Sequence, residues 1–261
     1  MAENRVSTES RGHVLLIGLN HADSGNAFDA SMWQELALAC GELDRNDEFR
    51  CGVLFAHGKH FTLGLDLGEV APLLTNGMVP LPENGIDITG VSGDRRLRKP
   101  LVCALHGLCL TIGIELALAC DIRVAARSTR FAQLEVQRGV YPFGGATIRF
   151  VHEVGWGNAM RYMLTGEQFN AEEALRMGLI QEITEGGKQL ERALELADLI
   201  AEQAPLGVQA VLASARLALQ EGEKLALANL VPALGQLLQS KDAAEGVRSY
   251  VERRKGNFIG K

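Results

Sequence analysis

Short apolar runs separated by turn residues dominate the first half of the chain. Strands of five or six residues are predicted at four of them, Val14–Leu19, Cys51–Ala56, Leu101–Leu105 and Ile122–Ala126. Apolar residues recur at helical spacing over residues 31–43, and a second helix is predicted over residues 113–120. Strands that alternate with helices predict an α/β core.

The pattern changes twice further along the chain. Residues 68–98 contain several prolines and glycines and are predicted to be irregular, which in a compact domain is typical of a lid, a binding loop or disorder. Helical periodicity predominates near the C-terminus and predicts helices at residues 190–202, 206–220, 223–239 and 242–255. We therefore expect an α/β core over residues 1–186 and a helical region over residues 187–261.

Composition and charge exclude several classes of protein. The 261 residues are 47% hydrophobic, which is enough for a large core, and the net charge of −6 argues against general affinity for nucleic acid. The five cysteines are odd in number and show no CxxC spacing, which favours a reduced, cytoplasmic chain. The polar N-terminus lacks the apolar segment of a secretory signal.

One segment, residues 101–120, is long enough to cross a bilayer. It contains Glu115, whose charge is costly in lipid, and it divides into a strand-like run, a glycine turn and a helix-like run. We therefore expect a buried strand, turn and helix, and no membrane span.

Several familiar motifs fail on inspection. Residues 52–59 resemble a phosphate-binding P-loop, but five residues separate the glycines and His60 follows Lys59. His57 and His60 have no third ligand at suitable spacing, so surface or hydrogen-bonding roles are expected in place of a metal site. The chain has no GxSxG, the motif of a serine nucleophile elbow. It has no GxGxxG after a strand either, so a Rossmann cofactor site has no support, and no bound cofactor is predicted.

Two carboxylates in apolar surroundings are the candidate catalytic groups. Glu115 lies in the run IGIELALAC, and Glu135 is flanked by Leu134 and Val136. Burial raises the pKa of a carboxyl group, and two such groups in one cleft can divide acid and base roles. The alternative is that either glutamate only caps a helix or pairs with an arginine such as Arg123 or Arg138.

Two backbone segments are candidates for binding an oxyanion. The start of the helix near Gly113 offers unpaired N–H groups and the positive end of the helix dipole. The turn HFTLGLDL follows the second strand, and Gly64 lets its backbone approach a ligand closely. An ordinary turn is the alternative explanation for each glycine.

Six segments, in order along the chain, carry a family resemblance. The segments are LNHADSGNAFDASMWQEL, HGKHFTLGLDLGEV, KPLVCALHGLCLTIGIELALACDIRVAA, FAQLEVQRGVYPFGGA, LTGEQFNAEEALRMGLIQEI and SKDAAEGVRSYVERRKGNFIGK. Most are weak alone, but together they cover most of the chain and are highly specific. They resemble the crotonase (enoyl-CoA hydratase/isomerase) superfamily.

The resemblance implies a spiral of ββα units with a C-terminal helical trimerisation region, and an acyl-CoA thioester as substrate. It implies that Glu115 and Glu135 are catalytic, and that the backbone N–H groups of Leu65 and Ile112 form the oxyanion hole. The other positions that it assigns are a substrate pocket of Leu63, Gly64, Asp66, Gly113, Pro142 and Phe143, and coenzyme A contacts at Ala27, Lys255, Phe258 and Lys261.

The chain departs from the family pattern around the expected site. A stretch that is usually three glycines reads Thr111-Ile112-Gly113, a usually small residue is Leu63, and a usual glycine is Phe143. Family members often have a basic residue before the Asn-Ala pair, here Asn26-Ala27, that contacts a coenzyme A phosphate. In this chain Ser24-Gly25 stands in its place. A further basic patch is expected at Arg95, Arg96, Arg98 and Lys99.

The leading hypothesis is hydration of a 2-enoyl-CoA to a 3-hydroxyacyl-CoA by a homotrimer or a dimer of trimers. Isomerase, thioester hydrolase, and retro-aldol or decarboxylase reactions stay open, because a fold does not determine the reaction. A non-catalytic acyl-CoA-binding protein is the alternative from another class, since Ile112 and Phe143 add bulk near the site. RNA binding is a remote third alternative for this acidic chain.

Overall fold

The computed structural model describes residues 4–75, 80–91 and 95–261. Part of the segment predicted to be irregular, residues 76–79 and 92–94, lies outside these ranges. The strands are β1 Val6–Arg11, β2 Val14–Leu19, β3 Cys51–Ala56, β4 Leu101–Leu105, β5 Leu108–Leu110, β6 Ile122–Ala126, β7 Arg130–Ala132, β8 Phe169–Asn170 and β9 Glu182–Thr184. The helices are α1 Ala30–Arg45, α2 Leu67–Thr75, α3 Ile112–Ala119, α4 Ala146–Val154, α5 Trp156–Thr165, α6 Ala171–Met177, α7 Gln189–Ala201, α8 Pro205–Glu221, α9 Glu223–Leu237 and α10 Lys241–Glu252.

Two sheets organise the α/β body. The larger has the order β1-β2-β3-β4-β6-β9, and every neighbouring pair except β1 and β2 is parallel. The smaller has the order β5-β7-β8. Parallel strands covered on both faces are apolar throughout, which explains why the four predicted strands match β2, β3, β4 and β6.

Helices cover both faces of the larger sheet. Helix α1 lies in the main hydrophobic core on one face. On the other face, Ala193, Ala197 and Ala201 of α7 pack in a second cluster with residues of β2, β3 and β4. These alanines are spaced by four residues, so they form one small-residue stripe along the helix. Helix α7 therefore packs on the core, although the boundary predicted at residue 187 places it in the helical region.

The prediction that residues 68–98 are irregular is wrong in its first part, because α2 occupies Leu67–Thr75. The Asp66 carboxylate accepts hydrogen bonds from the N–H groups of Gly68 (3.0 Å) and Glu69 (3.2 Å), and Val70 is fully buried. The proline and glycine residues of this segment argue against a helix at the level of sequence. The helix forms nevertheless, because the Asp66 carboxylate caps it and the Val70 side chain is buried.

The remaining helix predictions agree with the structure to within a few residues. The largest difference is at α10, which ends at Glu252 instead of continuing to residue 255. The last residues then fold back, since Asp242 accepts hydrogen bonds from the N–H groups of Ile259 (2.7 Å) and Gly260 (2.8 Å). Within the described residues, no helix combines the length and apolar character that crossing a membrane requires.

Candidate active site

Glu115 lies in the first turn of α3 and is 1% exposed. Its Oε1 accepts a hydrogen bond of 3.0 Å from the N–H of Ala146, the first residue of α4. Gly144 packs so closely on the carboxylate that a Cβ there would lie 2.6 Å from Oε2. The start of α4 therefore fixes the orientation of this carboxylate, and Glu115 in turn satisfies an otherwise unpaired N–H of that helix.

Burial raises the pKa of Glu115 to about 7. The nearby charge of Glu135 raises this pKa further, whereas the hydrogen bond from Ala146 and the positive charge of Arg149 lower it. Arg149 also holds the adjoining segment, since its guanidinium donates to the carbonyl oxygens of Gly144 (3.1 Å) and Thr89 (2.5 Å). Arg149 thus acts on Glu115 both through its charge and through the backbone around Gly144.

Glu135 begins a short 3-10 helix, Glu135–Arg138, and is 8% exposed. Burial raises its pKa to about 7 as well. Its buried Oε2 has no hydrogen-bond partner among the described residues. A buried acceptor without a partner is costly, so this oxygen is suited to a donor that a substrate or water supplies.

Neither glutamate forms an ion pair with the two candidate arginines. Arg123 pairs with Glu153 at 2.6 Å, and Arg138 forms no ion pair with any described residue. The helix-capping alternative holds for Glu115, which caps α4, but this contact occupies only one of its two carboxylate oxygens.

The N–H of Leu65 is placed by a bridge between two extended segments. Phe28 pairs with Leu65 in parallel, donating to the carbonyl of Gly64 (2.8 Å) and accepting from the N–H of Asp66 (2.9 Å). In this pattern the N–H and C=O of Leu65 point away from Phe28. No described residue accepts a hydrogen bond from the Leu65 N–H.

The N–H of Ile112 has no acceptor among the described residues, because Ile112 is the first residue of α3. Thr111 turns the chain into the helix with a φ of 48°, a positive value that a β-branched residue rarely adopts. Gly64 has a φ of 111°, and a Cβ on it would collide with Thr111 Oγ1. The two predicted oxyanion segments therefore lie against each other.

An open cleft of about 810 Å³ lies beside these groups. Four residues predicted for the site line it, namely Leu63, Leu65, Glu135 and Phe143, and Thr111 joins them. The other predicted positions do not line this cleft in one chain: Asp66 caps α2, and Gly113 and Pro142 are buried. Glu115 does not line this cleft either, and its carboxylate lies against Gly144.

Three aromatic rings pack on one another next to this cleft. Phe143 stacks on Trp33 with 6.1 Å between ring centroids and an interplanar angle of 5°, and Trp33 meets Phe28 edge-on at 6.2 Å. The Phe143 ring is thus held flat against the core by Trp33, a residue that the sequence analysis missed.

Three of the predicted coenzyme A contacts, Lys255, Phe258 and Lys261, do not line this cleft. Lys255 pairs with Glu202 at 2.6 Å, and the carbonyl of Phe258 accepts from Arg50, which directly precedes β3. Since Leu65 follows β3, Phe258 is at the opposite edge of the sheet from the cleft. Ala27 is next to Phe28 and is half-buried. These assignments stay predictions.

Two of the four residues in the predicted basic patch at Arg95, Arg96, Arg98 and Lys99 are bound to other parts of the chain. Arg98 pairs with Asp44 at 3.1 Å, and the buried Lys99 ammonium donates to the carbonyl of Asn46 at 2.7 Å. The other two residues of this patch, Arg95 and Arg96, are exposed and form no ion pair with a described residue.

The contacts of Glu115 include residues that sequence reasoning missed. Gly144, Ala146 and Arg149 all act on its carboxylate, and they follow it by about thirty residues in the chain. The signal that was available is the pair Gly144-Gly145 directly before an amphipathic helix, which is typical of a backbone that approaches another group closely.

Comparison with known proteins assigns the chain to a family. The family model described as Enoyl-CoA hydratase/isomerase matches residues 9–261. The chain belongs to the enoyl-CoA hydratase/isomerase family. It is 34% identical to an enoyl-CoA hydratase of Mycobacterium tuberculosis, over 96% of this chain and 94% of the relative. It is 30% identical to a short-chain-enoyl-CoA hydratase of Clostridium acetobutylicum, over 98% and 97% of the two chains.

Solved structures of this family have the same fold. A probable enoyl-CoA hydratase/isomerase from Mycobacterium abscessus superposes with a TM-score of 0.95 at 49% identity, covering 98% of this chain and 99% of the other. An enoyl-CoA hydratase from Mycobacterium tuberculosis superposes with a TM-score of 0.90 at 32% identity, covering 99% and 100%. The predicted crotonase-type α/β fold with a C-terminal helical region is confirmed.

Proposed function

We propose that this family member adds water across the double bond of a 2-enoyl-CoA thioester and gives a 3-hydroxyacyl-CoA. The observation that carries the proposal is a pair of buried carboxyl groups, each with a pKa of about 7, beside two unpaired backbone N–H groups. The relatives named enoyl-CoA hydratase support the same reaction.

Each step of the proposed reaction has a candidate group in this chain. The N–H groups of Leu65 and Ile112 donate to the thioester oxygen and stabilise the enolate that forms when water attacks C3. One glutamate, as carboxylate, takes a proton from the attacking water, and the other, as carboxylic acid, gives a proton to C2. Two interacting carboxyl groups that titrate near neutrality share one proton over a useful pH range.

The test is turnover of a series of 2-enoyl-CoA substrates of increasing acyl length. We expect loss of the enoyl-thioester absorbance and a product heavier by one water in mass spectrometry. A product of unchanged mass with a moved double bond supports an isomerase instead, and a free acid supports a thioester hydrolase. Tight binding of every acyl-CoA without chemical change contradicts the proposal and favours a non-catalytic binding protein.

A control variant separates catalysis from a contaminating hydratase. Glu9→Gln alters an exposed glutamate on β1, so its turnover should equal that of the unmodified chain. The Glu115→Gln and Glu135→Gln variants, purified in the same way, should have lost most of the activity.

We further propose a homotrimer or a dimer of trimers. Helices α8 and α9 pack on each other but bury almost none of their side chains, and they leave apolar residues such as Val211, Leu227 and Val231 exposed. Exposed apolar faces of this kind are typical of subunit contacts. Light scattering should give the mass of three or six chains, and the mass of one chain contradicts the proposal.

Coenzyme A contacts from a neighbouring chain fit this assembly. We propose that Ala27 contacts the coenzyme within its own chain and that Lys255, Phe258 and Lys261 do so in a neighbour's cleft. Lys255→Gln should then raise KM for an enoyl-CoA with little change in kcat.

We place the enzyme in the cytoplasm, since its five cysteines are free and buried and no oxidising compartment is needed.

A further inference from the structure

A second cavity, of about 620 Å³, lies at the carboxyl ends of the parallel strands. Its walls come from the turns that follow β3, β4, β6 and β9 and from the first residue of α7, Gln189. In α/β folds, ligands bind in the crevice outside the carboxyl ends of the strands. Neither glutamate of the active site lines this cavity, and the proposed function does not use it.

The lining of this cavity is basic. It contains Lys59, His60, His106 and Arg130, and no described aspartate or glutamate lines it. Burial lowers the pKa of His60, and its Nδ1 accepts a hydrogen bond of 3.1 Å from the N–H of Leu108, so the positive charge of the lining comes from Lys59 and Arg130. Lys59 forms no ion pair with a described residue. Two cations in a lining without a described carboxylate favour binding of an anion.

Helix α7 begins at this cavity, where its first residue, Gln189, is part of the lining. Its first backbone bond runs from the N–H of Arg192 to the carbonyl of Lys188, the residue before the helix, and no described side chain caps the helix. The N–H groups of Gln189, Leu190 and Glu191 therefore have no described acceptor. A free helix N-terminus with a positive dipole end is suited to phosphate.

Gln189 adds an independent sign that a ligand binds. Its side chain lines the cavity, the residue is only 9% exposed, and its Oε1 has no hydrogen-bond partner among the described residues. Buried amides are normally paired, and an unpaired one needs an explanation. Rotation of the amide by half a turn exchanges its oxygen and nitrogen, so the same group can donate to an anion.

We propose that this cavity binds a phosphate group, held by Lys59, Arg130, the Gln189 amide and the N-terminus of α7. Three acceptor oxygens on one dianion match this set of donors and charges better than a carboxylate does. The group is either free inorganic phosphate or the phosphate of a monoester, for whose organic part the cavity has room.

The test is calorimetric titration of the full-length protein at low salt with inorganic phosphate and, separately, with adenosine monophosphate. Binding of both, more tightly for the ester, supports an ester site, and binding of inorganic phosphate alone supports the free ion. The Lys59→Gln variant should weaken binding roughly ten-fold, as loss of one charge-assisted contact does. Lys224→Gln, which removes an exposed charge on α9, should leave binding unchanged.

A second variant tests the buried amide. Gln189→Leu should also weaken phosphate binding roughly ten-fold. If it does not fold, Lys59→Gln alone decides, because Lys59 is exposed. The proposal is overturned if neither phosphate compound binds, or if Lys59→Gln and Lys224→Gln weaken binding equally. No enoyl-CoA is present in these titrations, so failure of the proposed hydratase reaction leaves their result unaffected.

Discussion

The charge of Glu135 raises the pKa of Glu115, but the two residues come from segments that hold their carboxylates in different ways. Glu115 is anchored, because the N–H of Ala146 and the close packing of Gly144 fix its carboxylate. Glu135 lies in a short 3-10 helix, and its Oε2 is bonded to no described residue. Burial nevertheless raises both pKa values to about 7. Proton affinity is therefore set by burial at both positions, whereas orientation is set by hydrogen bonding only at Glu115.

The largest effect is expected from removing either acid–base group. Glu115→Gln and Glu135→Gln should each lower kcat about 10²- to 10⁴-fold, the usual range for general acid–base catalysis. In Glu115→Gln the oxygen of the introduced amide can still accept from the N–H of Ala146, so this variant should keep its fold. Steady-state rates on an enoyl-CoA check the prediction, with Glu9→Gln as the control. A variant that keeps the normal rate removes that glutamate from the mechanism.

The next largest effect is expected at the oxyanion segments. A Cβ at position 64 collides with Thr111 Oγ1, so Gly64→Ala should displace the Leu65 N–H. Loss of one oxyanion donor lowers kcat about 10²- to 10³-fold, with a smaller change in KM. Gly157→Ala is the matched control, because no atom of a described residue lies within 4 Å of its Cβ position. Equal kcat values for the two variants contradict the assignment of Leu65.

The raised pKa values also predict how stability depends on pH. The folded protein holds the Glu115 proton up to a pKa of about 7, compared with 4.5 for an ordinary glutamate. Glu115 therefore contributes stability that is complete below pH 4.5 and is lost as pH rises through 7. Replacing it with glutamine should remove this loss, which is roughly 3 kcal/mol.

Denaturant unfolding at fixed protein concentration, at about pH 5 and about pH 8, checks this prediction. The stability of Glu115→Gln relative to the unmodified chain should rise from the lower pH to the higher one. A difference that stays constant or falls means that Glu115 does not titrate near neutrality.

The smallest effect is expected from Arg149, which acts on Glu115 but not on Glu135. Removing its charge in Arg149→Met should raise the pKa of Glu115 and loosen the backbone at Gly144. We expect kcat to fall about ten-fold, as loss of one charge-assisted hydrogen bond does, and the limb of the pH profile that Glu115 controls to move to higher pH. Arg149→Lys should restore the profile in part. A lower rate with an unmoved profile means that Arg149 is merely structural.

The parts of the fold that were predictable are those where tertiary context agrees with local pattern. Strands β2, β3, β4 and β6 are buried on both faces, so an apolar run is sufficient to identify them. Edge strand β1 is mostly exposed, and its polar residues conceal it. Helix α2 was missed because the chain pattern shows Pro72 but not the capping by Asp66.

The candidate site was predictable to a similar extent. Apolar neighbours were sufficient to single out Glu115 and Glu135, whereas Leu65 and Ile112 were assigned through the resemblance to a family. Ala146 and Arg149 reach Glu115 only through tertiary packing of α4 on α3. No local pattern encodes such a contact, because it depends on the distance between segments in space.

The most direct test of the central claim compares the double variant Glu115→Gln/Glu135→Gln with the two single variants on the same enoyl-CoA. Groups that act together on one substrate show strongly non-additive losses. We predict that the double variant is no more than a few-fold slower than the slower single variant. Losses that multiply would show that the two glutamates act independently and would contradict a shared acid–base pair.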